Sequence, residues 1–269
     1  MRGVSAESQA ALLEQVERAI ASDADLSRLG DDLFAVAGAL DGAPQLRRAL
    51  TDPAAGDQQK GDVARQLFDG KVSGPALDIV VDAVGRRWSR PRDLGDALER
   101  GGVEAHAGNA ERRGELDDTE DELFRFGRLV DQSPQLRDAL TDRLAPEPAK
   151  RALVERLLAG KGTDATLHLA QQAVAGRHRS FGVALNEFVK AAAARRQRLV
   201  ATARVAQPID EPTRRRLGDA LSSYYGREIH LNVIVDPEII GGVRVDIGDE
   251  VIDGTVASRL QDARRRIAG

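Results

Sequence analysis

Apolar residues recur at spacings of three and four through the first two thirds of the chain, and that period predicts α-helices. Leu26, Leu29, Leu33, Val36, Ala37 and Leu40 make one such stripe; Leu123, Phe126 and Val130 belong to another. Asp41-Gly42-Ala43-Pro44 and Asp131-Gln132-Ser133-Pro134 end these stripes, because a proline cannot continue a helix but fits the first turn of the next. Short helices follow, Gln45 to Leu50 and its twin. Further helices are predicted over Asp57 to Phe68, Gly74 to Trp88 and Asp93 to Ala107, with counterparts beginning near Glu147, Asp164 and Phe181. Gly70 and Gly160 stand where helix C-caps are expected.

These two series are copies of one another. At an offset of 90 residues the block Leu33 to Arg90 aligns without a gap on Leu123 to Ser180, with 20 of 58 positions identical. The match is densest where Pro44-Gln45-Leu46-Arg47 meets Pro134-Gln135-Leu136-Arg137. A duplicated helical unit is the direct reading. In the helix predicted over Gly74 to Trp88, Leu77, Val80, Val81, Val84 and Trp88 form one stripe while Ile79 and Ala83 lie off it. Its apolar arc is wider than one core face needs. Either neighbouring helices bury both sides or a partner covers the outer one.

From residue 198 the period falls to two. Leu199, Ala201, Ala203 and Val205 alternate with their neighbours, and Pro208-Ile209-Asp210-Glu211-Pro212 announces a helix that runs to Tyr225 and stops at Gly226. Ile229, Leu231, Val233 and Val235 predict a second strand. Val243, Val245 and Ile247 predict a third, and Gly248-Asp249 predicts a hairpin turn into Val251-Ile252. Asp253-Gly254-Thr255 opens a terminal helix carrying Leu260 and Ile267. The expected architecture is mainly α: a tandem-duplicated helical bundle (residues 1–105 and 106–197) followed by a small α+β domain (198–269).

Composition narrows the chemistry. The 269 residues include no cysteine, which removes thiolate nucleophiles, disulfides and Cys-ligated metals. A net charge of -4 and 3% aromatic residues weigh against nucleic-acid binding, which needs surplus cations and stacking platforms. The amino end has no apolar run of signal-peptide length, and no window is apolar enough to span a membrane, so membrane contact is expected only through partners. Asp69-Gly70-Lys71 and Gly160-Lys161-Gly162-Thr163 lack the first glycine and the preceding strand of a phosphate loop. His106, His168, His178 and His230 are scattered over different elements and predict no metal site. The acidic run Glu115 to Glu122 suits a helix start. Arg195-Arg196, Arg214 to Arg216 and Arg264 to Arg266 read as solvated helix faces or as contacts for acidic helices. No catalytic constellation and no cofactor site emerges.

Order and spacing in the last seventy residues carry a resemblance. Ala206-Gln207-Pro208-Ile209, Tyr225-Gly226, Val235-Asp236-Pro237-Glu238-Ile239-Ile240-Gly241-Gly242-Val243 and Gly248-Asp249-Glu250-Val251-Ile252-Asp253-Gly254-Thr255 are similar to the signature region of the delta subunit of F-type ATP synthases. The mitochondrial counterpart of that family is the oligomycin-sensitivity-conferring protein. Single-copy members are shorter, and the extra length here is the repeat, as in long actinobacterial forms. The resemblance implies a non-catalytic subunit of the peripheral stalk, on the cytoplasmic face of the cell membrane. It would bind amphipathic N-terminal segments of alpha subunits through its helical region and the b subunit through its C-terminal domain. It leaves open which copy does the former. Ile79, Val80 and Val84, with Leu167 and Val174 in the second copy, are the expected groove residues. Ile239, Ile240, Val243 and Leu260 are expected on the stalk side, where core packing explains them equally well. An RNA-associated helical adaptor is the alternative reading.

Overall fold

The chain divides into two units, Met1–Arg195 and Arg196–Gly269. The structure, a computed structural model, describes residues 3–254 apart from 23, 143, 176, 198, 226–228, 238, 248 and 249. In the first unit α1 (Val4–Ile20) precedes α2 (Leu26–Gly42), α3 (Pro44–Leu50), α4 (Asp57–Phe68), α5 (Gly74–Gly85) and α6 (Pro91–Arg112). The second series is α7 (Leu116–Gln132), α8 (Pro134–Thr141), α9 (Glu147–Leu158), α10 (Asp164–Ala173) and α11 (Phe181–Gln197). Each helix from α7 to α11 starts 90 residues after its counterpart among α2 to α6, so the sequence repeat is a repeat of structure.

Local chemistry sets the helix ends. Pro44 and Pro134 occupy first-turn positions, and Ser133 and Thr163 accept hydrogen bonds from the amides of Leu136 and Thr166. Gly70 and Gly160 follow α4 and α9 with φ of 70° and 67°, a left-handed turn that glycine enters without steric cost. They close helices. The helix predicted over Gly74 to Trp88 ends earlier, at Gly85. Arg86 is extended, and Trp88 folds back so that Nε1 donates to the Ala83 carbonyl at 2.8 Å, satisfying a group the helix end exposes.

Shifting α1 by the repeat offset lands on residues 94–110, inside α6. Contacts agree with that arithmetic: α1 packs on α5, and α6 packs on α10 in the corresponding way. The long helix α6 therefore closes the first copy and opens the second, and the boundary expected after residue 105 falls inside it. One core gathers Leu12, Leu29, Leu33, Val84, Leu94 and Leu98. The other gathers Leu123, Phe126, Leu169, Leu185 and Phe188, and it also takes Phe34 and Val103 from the first copy. Helices α2 and α6 pass close enough that a Cβ on Gly102 would stand 2.5 Å from the Phe34 ring. Only glycine fits there.

In the second unit β1 (Leu199–Val205), α12 (Glu211–Tyr225), β2 (Ile229–Val235), β3 (Val243–Ile247) and β4 (Glu250–Asp253) give a four-stranded sheet in the order β2-β1-β3-β4. β1 and β2 are parallel with Ala201 opposite Leu231, α12 forming the crossover; β3 runs antiparallel to β1 and β4. Small Ala201 and Ala203 on the inner strand β1 share a core with Leu221, Ile229, Leu231, Val245 and Ile247. The predicted stop at Gly226, the Gly248-Asp249 turn and the terminal helix lie outside the described residues.

Candidate functional site

The groove residues expected on α5 are inside the protein. Ile79, Val80 and Val84 are buried in the first core, which resolves the wide apolar arc in favour of neighbouring helices. In the second copy Val174 is buried and Leu167 half-buried against its core. None of the four buried or half-buried valine and leucine positions presents an open apolar wall. In the second unit Ile239 and Val243 are half-buried, and Ile240 is 74% exposed. Leu260 lies outside the described residues.

An open groove exists elsewhere, between α7 and α11. It has a volume of about 380 Å³ and is lined by Phe124, Gly127, Asp131, Val183, Leu185, Asn186 and Val189 among others. Phe124 is 55% exposed and Val183 43%, although both are large and apolar. The repeat explains the vacancy. Moving Phe124, Gly127, Asp131, Leu185, Asn186 and Val189 back by the offset gives Phe34, Ala37, Asp41, Gly95, Asp96 and Glu99, the face of the first copy on which the second copy sits. No third copy follows to cover the same face of α7 and α11. Sequence comparison of Leu33-Phe34 with Leu123-Phe124 holds the signal for this groove, but only packing shows that one phenylalanine is covered and the other is not.

Arg177 is the main polar link between the copies. Its guanidinium donates to Asp41, to the Ala37 carbonyl at 3.3 Å and to Asp96 at 2.8 Å, and lies 3.3 Å from Glu99. Glu99 also accepts from Gln172 at 2.7 Å and pairs with His178 at 3.0 Å. Arg195, expected on a solvated or partner-facing surface, instead turns inward to Glu17 and Glu111, both at 2.7 Å, and ties α11 to α1 and α6. Arg214 and Arg215 pair with Glu211 on the exposed face of α12; Arg264 to Arg266 lie outside the described residues. In the acidic run, Glu122 accepts from the amide of Thr163 and the hydroxyl of Thr166 and so anchors the start of α10.

Burial pushes the Glu99 carboxyl up, but the hydrogen bonds from His178 and Gln172 and the Arg177 charge outweigh it and hold the group below its ordinary value. The bond to Glu99 raises His178, against burial. The raised imidazole contributes stability that is complete below the ordinary histidine range and is lost as pH rises through its folded value. The lowered carboxyl contributes above its ordinary value and is lost on strong acidification. Wild-type protein is therefore expected to lose more unfolding free energy than His178→Gln when pH is raised from mildly acidic to mildly alkaline, as read by urea titration at each pH. Equal losses would mean that the Glu99 pair is energetically silent.

Histidines assigned to separate elements do not stay apart. His106 on α6 and His168 on α10 stack with ring centroids 4.8 Å apart, and both face Asp31 on α2. Burial lowers His106, whereas the hydrogen bond to Asp31 raises His168; Asp31 itself is held well below the carboxylate range, its two imidazole contacts overcoming desolvation. Among the described residues, these three form the cluster with metal-ligand spacing. The sequence reading missed it, since the three positions are far apart in the chain. No described helix is long and apolar enough to cross a membrane.

The family model described as "ATP synthase delta (OSCP) subunit" matches residues 103–267. That span begins inside α6 and takes in the second copy and the C-terminal unit. A protein of Streptomyces avermitilis named "ATP synthase subunit delta" is 47% identical over 99% of this chain and 98% of its own. Proteins of the same name from a Nocardioides species and from Frankia alni are 46% and 49% identical, over 100% and 93% of this chain and 98% and 90% of theirs. A chain from the Toxoplasma gondii mitochondrial ATP synthase hexamer aligns over 100% of this chain and 99% of its own, at 14% identity and a TM-score of 0.27, a level that carries no structural argument.

Proposed function

The chain belongs to the ATP synthase delta (OSCP) subunit family and is a non-catalytic peripheral-stalk subunit of that complex, and from this premise we propose how its two units divide the work. The helical unit grips the catalytic head by taking the amphipathic N-terminal segment of an alpha subunit into the groove between α7 and α11. The C-terminal unit holds the b subunit, with Ile240 and its neighbours Ile239 and Val243 at the contact and Leu260 as a further candidate. The assembly sits peripherally on the cytoplasmic face of the membrane. Family membership displaces the RNA-adaptor alternative.

The open groove is the observation that supports the alpha-side reading. Its first-copy equivalent is filled by packed helices, so the face has the shape to receive one. Its chemistry has changed in the direction a detachable apolar helix requires. Where the first copy offers Asp96 and Glu99 to Arg177, the second offers Asn186 and Val189, and Asp131 remains to meet one basic side chain. Rotation of the central stalk drags on the head, and the drag becomes useful work only if the head is held. Contacts that hold it gain more from a buried apolar anchor than from exposed ion pairs, worth about 0–1 kcal/mol each.

Titrating a labelled alpha N-terminal segment into the full chain tests this. Phe124→Asp is expected to weaken binding by about 30-fold or more, the scale of a lost anchor residue. It should leave the thermal midpoint near wild type because Phe124 is largely exposed. Leu129→Asp, on the same helix but outside the groove lining, should bind as wild type. Ile240→Asp should lose the b subunit and keep the alpha segment. Undiminished binding by Phe124→Asp would remove the groove from the proposal.

A further inference from the structure

We propose that Asp31, His106 and His168 form a Zn²⁺-type divalent metal site that braces α2 and α6 of the first copy to α10 of the second. One ligand atom from each residue lies within 4.8 Å of the others. His106 Nε2 is 3.3 Å from Asp31 Oδ1, and His168 Nδ1 is 2.7 Å from the same oxygen. Ligands on a tetrahedral ion with bonds near 2.0–2.1 Å stand about 3.3 Å apart. The His106–Asp31 spacing already meets this; His168, whose ring now stacks on His106 with 17° between the planes, must turn out of the stack as well as move outward to bring Nδ1 onto the same ion.

His106 supplies the second, independent observation. It is wholly buried, and neither ring nitrogen has a hydrogen-bond partner; Nε2 is near Asp31 Oδ1 without bonding it. Buried polar atoms are almost always satisfied by protein, water or ion. Its surroundings fix the ring rather than satisfy it. Phe34 stacks on it with centroids 5.3 Å apart, and Gly30 passes so near that a Cβ would lie 2.4 Å from Nε2. An imidazole clamped this way, with its nitrogen turned to a carboxylate edge, is oriented as a ligand.

Outer groups complete the arrangement. His168 Nε2 lies 3.7 Å from Asp164 Oδ1, where an outer carboxylate would hold the ring once Nδ1 is committed to a metal. Asp31 is half exposed and His168 partly so, which leaves a route in from solvent and room for water as fourth ligand. Two imidazoles and one carboxylate, with no thiolate anywhere in the chain, suit Zn²⁺ among biologically common ions better than Ca²⁺ or Mg²⁺, which take oxygen donors.

Chelator-treated full-length protein titrated with ZnCl₂ by calorimetry is the test, with Co²⁺ visible absorption as a direct report on ligation. Wild type should bind one equivalent saturably, melt at a higher temperature with Zn²⁺, and give the ligand-field bands of nitrogen- and oxygen-bound Co²⁺. His168→Gln and Asp31→Asn should lose all three responses, and Asp164→Asn should bind about tenfold more weakly. His178→Gln, outside the cluster, should respond as wild type. Absence of saturable binding by wild type, or binding that His168→Gln leaves unchanged, would overturn the proposal. Should His168→Gln melt below wild type before any metal is added, the wild-type Co²⁺ spectrum and the Asp31→Asn titration decide.

Discussion

Val84→Asp is expected to unfold the helical unit, lowering its stability by about 4–5 kcal/mol, the upper end of single-residue effects. Val84 has no exposed surface and sits among Leu29, Leu33, Ile79 and Leu98 in the first core, so a carboxylate there meets neither water nor a cation. It must be buried charged, buried neutral without partners, or expelled with its helix. Melting followed by helical circular dichroism and binding of the alpha segment should therefore fail together. A variant that keeps its melting temperature while losing the alpha segment would mean that α5 presents an accessible face after all, as its sequence alone allows.

Arg177→Ala is expected to cost about 3–5 kcal/mol, because it strands the buried Glu99 carboxylate and removes a cation from the half-buried Asp41 and Asp96. Asp41, Asp96 and Glu99 converge on this one guanidinium, and Glu99 would keep only His178 and Gln172. The repeat provides the control. Arg87 stands 90 residues earlier, at the equivalent position, and is exposed, so Arg87→Ala should change stability by less than about 0.5 kcal/mol. Urea unfolding of both variants measures the contrast. A loss at Arg177 no larger than at Arg87 would show that the joint is held by its apolar contacts alone.

That pair also explains why equal residues came to unequal fates. The positions that receive Arg177 lie on α2 and α6, and the residues corresponding to Asp96 and Glu99 on α1 are Ala6 and Gln9. Arg87 thus has no acidic helix to enter. A helix period reports which side of a segment is apolar, and it carries no information on the charges of a segment eighty residues away. The clustering of Asp31, His106 and His168 was hidden for the same reason, as was the inward turn of Arg195. The end of α5 at Gly85, short of the buried Trp88, has a more local cause. Trp88 continues the apolar stripe of α5 in sequence, but its indole reaches Ala83 only if the helix has already ended.

What the amino-acid sequence determined by itself is what neighbouring residues can decide: the helices and strands, their proline and glycine ends, the 90-residue duplication and the change of period at the C-terminal unit. Tertiary structure decided which apolar faces are covered, that α6 serves both copies, and where charge is enclosed. Phe34 and Phe124 show the division. They are the same residue in the same motif on corresponding helices, one 6% exposed and the other 55%. Burial belongs to whatever packs against a side chain, and for the first phenylalanine that is the next copy of the repeat, while the chain supplies no further copy to cover the second.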